Sequence, residues 1–116
     1  MAASASPDNA AACASWETTH AALIAIPQLP AGWNWNTPNI DTYIKTRVST
    51  VNKGIDLFDQ ELAGNSSPAA EAGRVFIAAH RDASRALLDR TYSAEEGVPI
   101  TVAQAKLNQA CATNLS

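Results

Sequence analysis

Few residues in this 116-residue chain are equipped for chemistry. His20 completes Glu17-x-x-His20, a spacing that sets a carboxylate and an imidazole on one helix face, as in di-iron bundles. Such a centre requires a second motif of this kind and two further glutamates on facing helices. His80 has Phe76 and Ile77 upstream in place of an acid, so no metal site is expected, and both histidines read as ordinary helix residues. His80 has one other use. With Tyr43 or Tyr92 it can offer an axial ligand to a haem held non-covalently inside an apolar bundle. Covalent attachment is excluded, because the sequence contains no Cys-x-x-Cys-His.

The segment Pro27 to Asn36, PQLPAGWNWN, concentrates two prolines, a glycine and two tryptophans. It is long for a connection between helices, and long connections are more often functional. Trp33 and Trp35 are therefore candidate contacts for a partner protein, a sugar or an apolar ligand. The competing expectation is that they fold back and plug the end of the bundle over the small face of the third helix, since indole rings bury a large area. The two readings are compatible if one ring packs inward and the other outward.

Nucleophilic catalysis finds no support. No Ser–His–Asp or Cys–His grouping is suggested, and both cysteines are better used as a crosslink. The scattered glycines form no phosphate-cradling loop. Arg74, Arg81 and Arg85 line one side of a helix, but Asp82 and Asp89 interleave with them, so a solvated, self-paired face is expected. Tyr92 to Glu96 fits a tyrosine-x-x-x-acid secretion signal, yet the Trp-x-Gly turn that accompanies it elsewhere reads Trp33-Asn34-Trp35 here.

The formal charge is −3. Nucleic-acid binding needs a basic face, and anionic lipid needs a basic amphipathic stretch; neither is present. No apolar run reaches the roughly 18 residues that cross a bilayer.

The elements that must position these residues are helical. Ser6-Pro7, Thr37-Pro38 and Ser67-Pro68 each place a hydroxyl before a proline, which suits an N-cap followed by the first helical position. Thr101-Val102-Ala103-Gln104 reads as a capping box. Helix 1 is expected from about Pro7 to Ile26, with Cys13, Trp16, His20, Leu23 and Ile24 inward. Helix 2 is expected from about Pro38 to Leu62. Its seam of Ile44, Val48, Val51, Ile55, Phe58 and Leu62 steps by four and three, the rhythm of a bundle helix. Helix 3 is expected from about Pro68 to Tyr92, with Ala72, Phe76, Ala79, Ala83, Ala86 and Leu87 inward. Gly97-Val98-Pro99 punctuates the chain before helix 4, expected from about Val102 to Thr113.

Short connections favour antiparallel neighbours, so the fold class is all-α: a four-helix up-down-up-down bundle. That topology brings Cys13, near the start of helix 1, to the same pole as Cys111, near the end of helix 4. A disulfide joining helices 1 and 4 is expected. In the chain-entropy model a crosslink closing such a loop contributes up to about 4.7 kcal/mol. The core needs it, because 24 of the residues are alanine. Residues 1–6 are expected to be a disordered start and residues 7–116 a single helical-bundle domain. The crosslink also implies an oxidising compartment. Met1 is then expected to have been added where a signal peptide was removed, with Ala2 to Ser6 as the mature start.

The stretch from Ala12-Cys13 through Tyr43, above all Leu29 to Asp41 (LPAGWNWNTPNID), resembles small exported helical proteins of mycobacteria and related actinobacteria. Gly97-Val98-Pro99 followed by Leu107-Asn108-Gln109-Ala110-Cys111 is similar to them too. The resemblance implies a cell-envelope or extracellular setting and assigns no activity to any residue. The resulting expectation is a secreted or cell-envelope binding protein without catalysis, whose Trp33/Trp35 loop meets an unidentified envelope or extracellular protein. The alternative is a carrier of a small apolar ligand such as haem.

Overall fold

The computed structural model describes residues 6–115, with side chains through Ala112. Four helices make up the fold: α1 (Pro7–Ile24), α2 (Ile40–Glu61), α3 (Pro68–Leu88) and α4 (Gly97–Leu115), the last preceded by a 3-10 turn at Ala94–Glu96. No strand occurs among the described residues. The expected disordered start falls on residues 1–5, outside the described residues, and on Ser6, which caps α1.

Two helix starts form as their sequences dictate. Ser6 and Ser67 are extended N-caps whose hydroxyls accept from the backbone N–H groups of Asn9 and Ala70, at 3.1 and 3.3 Å. Proline follows each at the first helical position. The other two starts differ from expectation. Thr37-Pro38 opens a turn in which the Ile40 N–H donates to the Thr37 carbonyl at 3.1 Å and Asn39 adopts φ 62°. Proline fits the second position of such a turn and asparagine tolerates a left-handed third, so α2 begins at Ile40. Helix α4 begins at Gly97, not after Thr101, whose hydroxyl instead donates back to the Gly97 carbonyl at 3.1 Å. Pro99 is admitted because the first-turn N–H positions need no intrahelical partner.

The α2 seam is buried along its whole length, from Ile44 to Leu62. Helix α1 is phased differently from expectation: Cys13 and Trp16 are buried, but Ile24 is 70% exposed, and Asn9, Ala12 and Thr19 are buried instead. An alanine-rich helix whose larger apolar residues mark no single face carries little phase information. On α3, Phe76, Ala79, Ala83 and Ala86 are inward as expected, joined by Gly73 and Ile77. The main core gathers Trp16, Phe58, Leu62, Phe76, Ile77 and Leu107 from all four helices. Trp16 meets Phe76 edge-on at 4.8 Å between ring centroids, and its indole N–H donates to Asn108 Oδ1 at 3.0 Å. A buried ring is thus satisfied by the neighbouring helix.

Helices α1 and α3 each contact every other helix, whereas the backbones of α2 and α4 do not approach closely among the described residues. The cross-section is a diamond with α1 and α3 across its short diagonal. Small residues there, Ala12, Ala69 and Ala70, let the backbones approach. Gly73 permits the equivalent closeness to α2: a Cβ at this position would lie 2.7 Å from Leu62 Cδ1 and 3.0 Å from Phe58 Cζ.

Cys13 and Cys111 are joined, with Cα atoms 5.5 Å apart and a sequence separation of 98. Beside this disulfide, buried Asn9 reaches two other helices. Its Oδ1 accepts from the Ala69 N–H at 2.8 Å and its Nδ2 donates to the Ala110 carbonyl at 3.4 Å. The α2–α3 turn is tied to the same pole, where Asn65 Nδ2 donates to the Asp8 carbonyl at 2.8 Å. The chain therefore runs up, down, up and down, with the first and last helices covalently joined.

The arginine face of α3 is less self-contained than expected. Arg74 does pair with Glu71 on its own helix, but its Nη2 also donates to the carbonyls of Leu62 and Asn65, at 2.8 and 2.5 Å, closing the C-terminus of α2. Arg81 bridges to Asp56 and Asp59 of α2, at 3.0 and 3.3 Å. Arg85 pairs with Asp82, not Asp89.

Two measurements follow. A Cys13→Ala/Cys111→Ala double variant is expected to retain its far-UV helical spectrum but to lose about 2–4 kcal/mol in guanidinium unfolding. Gly73→Ala is expected to destabilise by about 1–3 kcal/mol through overpacking against the buried Phe58 ring. Gly54→Ala is expected to stabilise by up to about 1 kcal/mol. Its Cβ would meet only Leu23 Cδ2, at 3.6 Å. The opposite signs would be read from the same unfolding curves.

Candidate functional site

At the pole opposite the disulfide the helices do not end together. By the usual rise of ~1.5 Å per residue, α1 is ~27 Å long and α2 ~33 Å. The first turns of α2 therefore project beyond α1, and residues 25–39 fold over them. Gly32, at φ 67°, supplies the left-handed third position of a turn closed by the Trp33 N–H on the Pro30 carbonyl at 3.1 Å. A second small knot follows: the Asn34 N–H donates to Thr37 Oγ1 at 2.9 Å, and the Asn36 N–H to Asn34 Oδ1 at 2.8 Å. The two knots hold Trp33 and Trp35 in place.

Both indoles are half-buried. They meet edge-on with ring centroids 4.9 Å apart and cover Ile40, Ile44 and Val48 of α2 together with Leu29 and Leu87. They close the end of the bundle against α2, not over the alanine face of α3. Trp33 also lies 6.4 Å from the ring of Tyr92.

Tyr92 reaches this position because α3 stops earlier than its sequence suggests. The Thr91 N–H donates to the Ala86 carbonyl at 2.8 Å and the Arg90 N–H to Leu87 at 3.3 Å, with Arg90 left-handed at φ 60°. This is a Schellman ending with arginine where glycine is usual. The strained backbone places the Arg90 guanidinium 2.7 Å from Asp41 Oδ2 and 5.7 Å from the centre of the Trp35 ring. Arg90 thus clamps the end of α3 to the start of α2 across Trp35, with a cation–π contact of about 0.5–1 kcal/mol at such an exposed site.

Beneath the loop lies a cleft with two lobes. The larger, about 330 Å³, is lined by Leu29, Pro30, Trp33, Arg47, Leu87 and Tyr92 among others. The smaller, about 110 Å³, lies between α2 and α3 and is lined by Arg47, Val48, Val51, His80, Leu87 and Ile100 among others. Arg47, Leu87 and Tyr92 belong to both. Arg47 Nη1 donates to the Pro27 carbonyl at 2.7 Å and to Ile26 at 3.4 Å, which ties the loop to α2.

His80 packs edge-on against Phe76, with centroids 4.6 Å apart, on the wall of the smaller lobe. Burial, and secondarily the charge of Arg47, lower its pKa from 6.5 to about 4, so the ring is neutral at pH 7. Tyr43 is 49% exposed and lines neither lobe. The structure brings His80 together with Tyr92, therefore, and not with Tyr43. His20 rests on the Trp16 ring, 5.1 Å between centroids, with Glu17 turned to solvent. Among the described residues no group of three or more His, Cys, Asp or Glu side chains is arranged to hold a metal ion. No helix among them is long and apolar enough to cross a membrane.

Sequence reasoning singled out the two tryptophans but missed Arg47 and Leu87. Arg47 precedes Val48 of the seam, and nothing in the periodicity marks a flanking arginine as cleft-lining. No protein family, curated protein or solved structure matches the chain.

The His80 environment generates a pH prediction. Its folded pKa lies below the unfolded value, so the unfolded chain binds more protons between pH 6.5 and about 4. Stability is complete above pH 6.5 and falls as the pH drops through that window, by on the order of 3 kcal/mol. His80→Phe, which keeps the ring contact with Phe76, is expected to remove this component from the pH dependence of urea unfolding. Parallel pH profiles for the two proteins would contradict it.

Proposed function

We propose that this is a secreted or cell-envelope binding protein without catalytic chemistry of its own, and that the Trp33/Trp35 pole is the end that engages its partner. The observation that carries the reading is the construction of that pole. Two half-buried indoles, a non-glycine left-handed residue and an ion pair are combined around an open cleft. Strained backbone positions are retained where the surroundings over-determine them, and they cluster at binding sites. Indole rings with one face packed and one edge wet are typical contact anchors. The disulfide supports an oxidising, extracytoplasmic setting.

A second reading, a carrier of a small apolar ligand, is favoured by Val48, Val51, Ala83, Leu87 and Ile100 on the wall of the cleft's smaller lobe. Its larger lobe falls at the lower end of the ~300–1,000 Å³ usual for small-molecule sites. A haem liganded by His80 would have to spread α2 and α3 apart, since the lobe beside His80 measures about 110 Å³. The small-ligand form of this reading therefore concerns a compact molecule.

Trp35→Ala tests the partner reading. It removes one ring of the pair and leaves Trp33 packed with Leu29 and Leu87. The expected result is an unchanged far-UV spectrum with at least tenfold weaker capture of the partner retained by wild-type protein from an envelope extract. Equal recovery of every partner by the two proteins would remove this pole from consideration.

A further inference from the structure

We propose that the two-lobed cleft binds a small carboxylic acid with an apolar body, its carboxylate on Arg47 and its body against Leu29, Trp33, Leu87 and Tyr92. The inference rests on the reading of this pole as the binding end and supplies the ligand chemistry that the reading leaves open.

Charge is the first ground. Of the five arginines, Arg74, Arg81, Arg85 and Arg90 each pair with a carboxylate. Arg47 alone among them has no acidic partner among the described residues. Neither lobe is lined by an aspartate or a glutamate, although the chain carries a net charge of −3. The cleft is thus a locally positive place on an acidic protein.

Geometry is the second ground. The Pro27 and Ile26 carbonyls both take Arg47 Nη1. That anchors the guanidinium plane and leaves Nε and Nη2 without a protein acceptor among the described residues. A planar fork held on one side is pre-organised for a carboxylate on the other. Arg47 also stands where the two lobes meet. A head group on it directs an aliphatic or aryl body under the Trp33 ring, in the larger of the two lobes. His80, neutral at pH 7, adds no second cation that would favour a dianion, so the fit is to a monocarboxylate.

The test is calorimetric titration with octanoate and 4-phenylbutyrate, each beside its neutral amide, with Trp33 and Trp35 indole N–H signals followed by ¹H–¹⁵N NMR. Wild-type protein is expected to bind at least one acid saturably, shifting the Trp33 signal, and to bind the matching amide at least about tenfold more weakly, the loss expected when a charge-assisted hydrogen bond becomes a neutral one. Arg47→Gln is expected to equalise acid and amide, and Arg47→Lys to restore part of the preference. Because Arg47 also anchors the loop, Leu87→Trp provides a second arm. It fills the cleft while leaving the Arg47–Pro27 contact in place and is expected to abolish binding of both ligands. No saturable binding by folded wild-type protein, equal affinity for acid and amide, or binding unchanged in Arg47→Gln and Leu87→Trp would overturn the proposal. These outcomes are separable from failure of the partner reading, which turns on Trp35, a residue that lines neither lobe.

Discussion

The register of the whole bundle is set at one pole, by the Cys13–Cys111 crosslink and the amide of Asn9 beside it. A disulfide alone fixes one point on each of two helices and leaves the others free to slide. Asn9 removes that freedom. Its side chain is buried and so must find partners. Among those it takes are backbone groups of α3 and α4, which have defined heights along their axes. Asn65 adds the α2–α3 turn to the same level. Each helix is thereby pinned at one end by a directional contact, while the apolar interior, which is non-directional, only decides which face turns inward.

Fixing four rods of unequal length at one end forces the inequality to show at the other. Helix α1 stops short of the first turns of α2, and Ile40, Ile44 and Val48 would face water there without the loop. Leu29, Trp33, Trp35 and Leu87 make this second, smaller cluster. A loop covers such a gap less completely than a helix would, because its own backbone groups must be satisfied by turns and side chains. The cleft beneath Trp33 is what remains uncovered. Arg47 and Arg90 are the two polar straps of this cap, one tying the loop to α2 and the other tying α3 to the start of α2.

Much of the fold was legible because it is written in local, periodic terms. The seam from Ile44 to Leu62 reads as one buried stripe, and two Ser-Pro pairs read as helix starts. The pairing of Cys13 with Cys111 follows from topology once successive helices run antiparallel. Other features were obscured where one residue type serves two structures. Pro38 and Pro99 suit a turn and a first helical turn equally well, and only the neighbouring Asn39 and Gly97 decide between them. The phase of α1 was illegible because alanine lies on every face. The site was half legible: Trp33 and Trp35 stand out by composition, but Arg47, Leu87 and Tyr92 converge from separate elements. The early end of α3, which brings Tyr92 in, depends on an arginine in a conformation that sequence patterns assign to glycine.

The crosslink has one more geometric effect. Because it joins the start of α1 to the end of α4, both ends of the folded body leave from the face opposite the tryptophans. Any tether, surface or fusion attached through either end would hold the molecule like a socket on a post, with its mouth pointing outward and about one helix length, ~30 Å, clear of the support.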